Sequence, residues 1–209
     1  MIGQGREGRF FSPSGKDMTS DELVRAWEER VALFRSLATF SAREELRAAC
    51  ELIVGALERG QKLLLMGNGG SAVQAQHMAS ELVGRFLKER RPLPALALTA
   101  DTAVLSSLAN DFGFGEVFER QVEALAQRGD VAIGISTSGG SENVLRGVKR
   151  ARELGCSTLG ILGGGGGSVK GAVDLSIVVP SDSVPLIQEA HAAICHIICQ
   201  EVEQRLFPG

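Results

Sequence analysis

The chain is poor in histidine, has few cysteines, carries no excess of basic charge and contains no long apolar run, and each shortage excludes something. No segment is apolar for long enough to span a bilayer. The first seventeen residues, rich in Gly, Arg and Ser, lack the apolar centre of a signal peptide. Twenty-two basic against 25 acidic residues give a net charge of −3, which argues against a nucleic-acid backbone as the main partner. The one mixed basic stretch, Lys88-Glu89-Arg90-Arg91, reads as a solvated loop. The expectation is a cytoplasmic protein with neither membrane nor nucleic acid as partner. The 4 cysteines, Cys50, Cys156, Cys195 and Cys199, show no C-x-x-C spacing, so zinc modules and disulfide scaffolds are excluded and buried thiols are the default. Cys195 and Cys199 flank His196, which leaves a thiolate ligand as the alternative to packing.

Only 3 histidines occur, and all lie in two segments, Gln76–Glu81 and Gln188–His196. Their surroundings are well supplied with apolar residues, 44% of the 209, enough for a real core in one large domain with additions. Thr19-Ser20-Asp21-Glu22 and Ser41-Ala42-Arg43-Glu44 both match the S/T-x-x-E capping box, so two helices open the protein. Leu23, Trp27, Val31 and Phe34 stripe the first; Leu46, Cys50, Ile53 and Leu57 stripe the second. From residue 61 short apolar runs (62–66, 95–98, 131–136, 158–162, 175–179) alternate with longer amphipathic ones (near 71–86, 102–108, 115–127, 141–154, 183–206). That alternation predicts an α/β fold, a five-stranded parallel sheet with helices on both faces, preceded by a mobile tail (1–18) and the N-terminal helices (19–60). Ligands of such sheets bind beyond the carboxyl ends of the strands.

Two turns fall at such ends. Gly67-Asn68-Gly69-Gly70-Ser71 follows a strand and opens a helix, a combination that brings main-chain N–H groups and a helix N-terminus to an anion. It loosely satisfies G-x-G-x-x-G/A, but the acidic residue that a dinucleotide site needs about 20 positions on is not convincingly placed, since the second strand ends only near Leu98. Ile135-Ser136-Thr137-Ser138-Gly139-Gly140-Ser141 repeats the arrangement with four hydroxyls. Two such loops predict a sugar-phosphate cleft. The run Gly163–Gly167 follows a third strand and reads only as a flexible turn outside the site. His77 and Glu81 share one helix face at i, i+4. Gln188 and His196 lie about 12 Å apart along a helix axis, so a shared site needs groups from another segment or subunit. His191 reads as a helix-packing residue.

Six ordered motifs now carry a resemblance: Gly-Asn-Gly-Gly-Ser-Ala at 67–72, Gln-His-x-Ala-x-Glu-Leu-Val-Gly-Arg at 76–85, Leu-Thr-x-Asp-Thr at 98–102, Ala-Asn-Asp-Phe-Gly-Phe at 109–114, Gly-Ile-Ser-Thr-Ser-Gly at 134–139 and Ile-Gln-Glu-x-His at 187–191. With these the chain resembles the phosphoheptose isomerases of the sugar-isomerase (SIS) superfamily, from about residue 20 to the C-terminus. The resemblance implies a Rossmann-like SIS domain over 61–209, a homotetramer with active sites between subunits, and isomerisation of a phosphorylated seven-carbon ketose, sedoheptulose 7-phosphate. It implies zinc on His77, Glu81, Gln188 and His196. Substrate positions match Asn68, Gly69, Gly70, Ser71, Glu81, Asn110, Asp111, Ser136, Thr137, Ser138, Ser141 and Gln188. Leu186 departs from the family, which usually carries Arg there.

Aldose–ketose isomerisation moves a proton between adjacent carbons through an enediol(ate), so it needs an acid and a base. Glu81 and His196 are the expected catalytic pair, with a metal able to polarise the reacting oxygens. The rival expectation is a non-enzymatic SIS tetramer that binds the replication initiator protein; that relative looks to lack the helix glutamate and the last histidine, and both are present here.

Overall fold

The structure is a computed structural model and describes residues 18–38 and 40–208. Five strands, β1 (Leu63–Gly67), β2 (Ala95–Ala97), β3 (Val131–Ser136), β4 (Ser157–Leu162) and β5 (Leu175–Val178), form one sheet. Its helices are α1 (Ser20–Leu37), α2 (Phe40–Glu58), α3 (Gly70–Val83), α4 (Thr102–Phe112), α5 (Val117–Leu125), α6 (Glu142–Glu153), the single turn α7 (Gly167–Lys170) and α8 (Val184–Leu206). Strand order is β2-β1-β3-β4-β5, and every pairing is parallel. The fold is the expected Rossmann-like α/β arrangement. Because β2 and β3 leave β1 on opposite sides, the sheet switches direction between β1 and β3, and the crevice there opens at the carboxyl ends of those strands.

The strands read as unbroken apolar runs because both faces are covered. Leu63, Leu65, Val131, Ile133, Ile135, Leu159 and Ile161 point to the face where α2, α3 and α8 pack. Their alternates Leu64, Met66, Ala132 and Leu162 point to α5, α6 and α7. Each fully buried Leu or Ile contributes roughly 1.5–3 kcal/mol through removal from water.

Helix α1 starts at the expected capping box: the Glu22 N–H donates to Thr19 Oγ1 at 3.3 Å and the Thr19 N–H donates back to Glu22 Oε2 at 2.7 Å. The second box is displaced. The backbone of α2 is already helical at Phe40, ahead of the Ser41 expected to cap it, while the side chains of residues 40–42 and, of the expected tail 1–18, residues 1–17 lie outside what is described. The helix expected over 115–127 is a 3₁₀ turn, Phe114–Glu116, followed by α5.

Helices α3 and α8 run side by side in the same direction. Gln188 meets Gly70, His196 meets His77, and Glu203 meets Phe86, Leu87 and Lys88. Residues numbered about 118 apart therefore stay paired along both helices, and this contact carries the chemistry-bearing side chains.

Candidate active site

The β1–α3 turn opens the crevice. Gly69 adopts φ +54° as N-cap of α3, a conformation that favours glycine, and no side chain caps the helix. The N–H groups of Ser71, Ala72 and Val73 turn back onto the Asn68 and Gly69 carbonyls at 2.9, 3.0 and 3.2 Å, which leaves the positive end of the helix dipole at the mouth of the crevice. Gly70 admits a close neighbour: a Cβ there would stand 2.2 Å from Gln188 Nε2. Ser71 is buried, and its N–H donates to the Asn68 carbonyl at 2.9 Å. The Asn68 side chain reaches across the switch point and exchanges two amide hydrogen bonds with Asn143, at 2.8 and 2.9 Å. Asn143 is buried in the first turn of α6; nothing in its local sequence marks it, since its partner is 75 residues away.

The β3–α6 loop forms the other wall. Ser136 Oγ lies 3.1 Å from Ser141 Oγ and accepts the Gly139 N–H at 3.1 Å, while Ser138 Oγ accepts the Gly140 N–H at 3.1 Å. Thr137 is half-buried between them. These bonds pair the Ser136 and Ser141 hydroxyls and tie Ser136 and Ser138 to the loop backbone. The bed of this loop is the glycine run left out of the site by its sequence. A Cβ on Gly139 would stand 2.1 Å from the Gly166 carbonyl oxygen, one on Gly163 would stand 2.5 Å from the Thr137 carbonyl oxygen, and the Val169 N–H donates to the Gly139 carbonyl at 2.9 Å. Gly163–Gly167 is a backbone platform under the serine loop, folded into a 3₁₀ turn and the start of α7.

Farther along α3, His77 Nε2 lies 2.9 Å from His196 Nε2 and 3.2 Å from Glu81 Oε1. The missing partner for His196 is thus another helix of the same chain. Of the two sources left open, another segment or another subunit, α3 of the same chain brings Glu81 and His77 to His196. Two ring nitrogens this close need one N–H and one lone pair, or a cation that both lone pairs face. One donor atom from each of His77, Glu81 and His196 lies within 4.8 Å of the others, a spread suited to ligands about 2.0–2.2 Å from one ion. The residues present therefore fit a divalent metal. The Phe86 ring packs on the His196 ring at a tilt of 31°, with centroids 5.5 Å apart.

Other expected positions fall as follows. The Gln188 amide lies over Gly70, at the anion-binding end of α3. Asn110 and Asp111 sit exposed near the end of α4 and bond to each other at 2.8 Å; among the described residues no hydrogen bond joins them to either loop. Thr99 and Asp101, from the Leu-Thr-x-Asp-Thr motif, do local work: Gln76 Nε2 donates to the Thr99 carbonyl at 3.0 Å, and Asp101 accepts the Val104 N–H at 3.0 Å as N-cap of α4. Leu186 packs against the core at the place of the usual arginine.

His191 is fully buried, which agrees with packing; burial holds its pKa below the usual imidazole value against the pull of the nearby Leu162 carbonyl. The thiols are buried too, and burial pushes Cys195 up to about 12 and Cys50 up to about 11; among the described residues the ligand cluster at His196 takes in His77 and Glu81 and neither Cys195 nor Cys199, so packing prevails over the thiolate-ligand alternative. The solvated-loop reading of 88–91 fails at Arg90, whose side chain is 1% exposed and pairs with Glu203 at 2.9 Å.

A family model described as SIS domain matches residues 27–163. The phosphoheptose isomerase of Geobacter sulfurreducens is 58% identical over 158 residues, spanning 76% of this chain and 84% of that protein. The chain belongs to the phosphoheptose isomerase family. The phosphoheptose isomerase of Pelobacter propionicus is 52% identical over 187 residues, covering 90% of this chain and 98% of its own, so the likeness extends well beyond the matched SIS stretch. The structure of a phosphoheptose isomerase from Francisella tularensis superposes with a TM-score of 0.85 at 38% identity, covering 90% of this chain and 100% of that one.

Proposed function

We propose that this phosphoheptose isomerase family member interconverts sedoheptulose 7-phosphate and D-glycero-D-manno-heptose 7-phosphate, the step that leads into nucleotide-activated heptoses. The observation that carries the reading is the meeting of Glu81, His77 and His196 on paired helices, beside two anion-binding loops at the switch point. The serine loop, with the Ser136, Thr137, Ser138 and Ser141 hydroxyls and the N-terminus of α6, seats the phosphate. Asn68, Gly69, Gly70, Ser71 and Gln188 line the path of the sugar chain. About 10 Å of helix separates Gly70 from His77, a length over which the sugar chain can run toward the reacting end.

At the reacting end, one of Glu81 and His196 takes the proton from the carbon beside the carbonyl and returns it to the neighbouring carbon; the other exchanges protons with the oxygens. Each transfer contributes typically 10²–10⁴-fold. Zinc held by His77, Glu81 and His196 would stabilise negative charge on those oxygens, while Gln188, expected as a further donor, has its amide over Gly70 and is kept for the sugar chain. His77 then holds the metal and does not move protons. A coupled assay of purified protein on sedoheptulose 7-phosphate tests the reading; absence of turnover under metal-replete conditions defeats it. The rival reading, a tetramer that only binds an initiator protein, has no use for this constellation.

Two further expectations belong here. Purified protein should carry about one zinc per chain by elemental analysis, and His77→Ala should lower that content sharply. Full isomerase rate in verified metal-free protein would show the metal to be dispensable. We also infer a cytoplasmic homotetramer. Helix α1 buries only Leu33, while Trp27 is 70% exposed and Leu23, Val31 and Phe34 are exposed beside it, a continuous apolar stripe that association would cover. Asn110 and Asp111, exposed on α4, would serve a neighbour's site in that assembly. Trp27→Glu is expected to reduce the assembly size by light scattering; a wild type that is active as a monomer would refute the assembly.

A further inference from the structure

We propose that Arg90 and Glu203 form a buried staple that fixes α3 against α8 and so positions Glu81 and His196 for the isomerisation, an inference that rests on the functional reading above. The Glu203 carboxylate, 2% exposed, accepts the N–H groups of Phe86, Leu87 and Lys88 at 2.9, 2.7 and 3.0 Å together with Arg90 Nε at 2.9 Å. Burial alone would raise its pKa; the three N–H groups and Arg90 outweigh that and hold it below the usual carboxylate value. The Arg90 fork turns back onto α3: Nη1 donates to the Leu82 carbonyl at 2.8 Å and Nη2 to the Glu81 carbonyl at 2.8 Å. A cation thus closes the last carbonyls of the helix, and one of them belongs to the expected catalytic glutamate.

The other half of the staple stands on the histidine helix. Glu203 is two turns beyond His196 and about 20° out of line with it, so the carboxylate anchors the same face of α8 that presents the imidazole. Phe86, whose N–H it holds, packs on that imidazole. A buried ion pair of this kind is a poor device for stability, since apolar side chains of similar volume serve as well or better. What apolar packing lacks is direction. The hydrogen bonds of these two side chains specify one offset between the helices, and a misplacement of about 1 Å at reacting groups can cost 10²-fold in rate.

The test uses Glu203→Gln and Arg90→Lys in the full chain, with Asp130→Asn as a control that removes a buried charge from the opposite end of the sheet, where Asp130 pairs with Lys62 at 2.6 Å. Below the melting temperature of all the variants, each staple variant is expected to lower kcat about tenfold or more with little change in KM, because the phosphate loops are untouched. The imidazole NMR signals, few because the chain has 3 histidines, should move for His77 and His196. Asp130→Asn should lower melting temperature but leave kcat and those signals in place. Staple variants that match the control in both measurements overturn the proposal. Should Glu203→Gln not fold, Arg90→Lys, which keeps the charge pair but loses the fork, decides. If the wild type shows no isomerase activity, the functional reading has failed and the imidazole signals alone judge the staple.

Discussion

Glu81→Gln is expected to lower kcat by about 10²-fold or more while the protein folds and binds substrate nearly as before. Glutamine keeps the size of the side chain and can still lie beside His77, now 3.2 Å from the carboxylate, but it cannot accept a proton usefully. His196→Asn should behave alike. Steady-state kinetics with circular dichroism and a thermal melt separate lost chemistry from lost structure, and near-wild-type turnover in either variant removes that residue from the catalytic role. Because the two residues meet within one chain, mixing the two inactive variants under subunit exchange should restore almost no activity. Appreciable recovery would mean that the working site pairs these residues across a subunit boundary.

The second large effect is expected at a residue with no side chain. Gly139→Ala places a methyl group 2.1 Å from the Gly166 carbonyl oxygen at a backbone φ of +64°, and neither obstacle can yield by a side-chain rotation. Strain of this kind costs on the order of 1–3 kcal/mol before any contact is counted. The serine loop must lift off its glycine bed, so KM for the phosphorylated sugar should rise with the loss of melting temperature. Gly70→Ala offers the contrast, since the group in its way is the end of the flexible Gln188 side chain; it should spare stability and disturb the substrate path. A Gly139→Ala protein with unchanged KM would remove the loop from phosphate binding.

The sheet was legible because β1, β3 and β4 are buried on both faces, which writes a strand as an unbroken apolar run. The two turns at the ends of β1 and β3 were legible because glycine and hydroxyl residues gather where a strand passes into a helix. Arg90 was not, since its burial depends on a glutamate 113 residues away and nothing local distinguishes it from its solvated neighbours. The run Gly163–Gly167 was misjudged for the same reason: a platform is defined by what rests on it. The pairing of His77 with His196 could be suspected from composition and motif, but only the parallel course of α3 and α8 gives them a common point.

That parallel course has an evolutionary corollary. One residue inserted into α8 between Gln188 and His196 would swing everything beyond it by about 100° and carry it about 1.5 Å forward. His196 would leave His77, Glu203 would leave the end of α3, and the strands would register no change at all. Length in these helices is therefore under tighter constraint than side-chain identity, and descendants of this chain should tolerate insertions in surface loops long before they tolerate one between residues 70 and 83 or between 188 and 203.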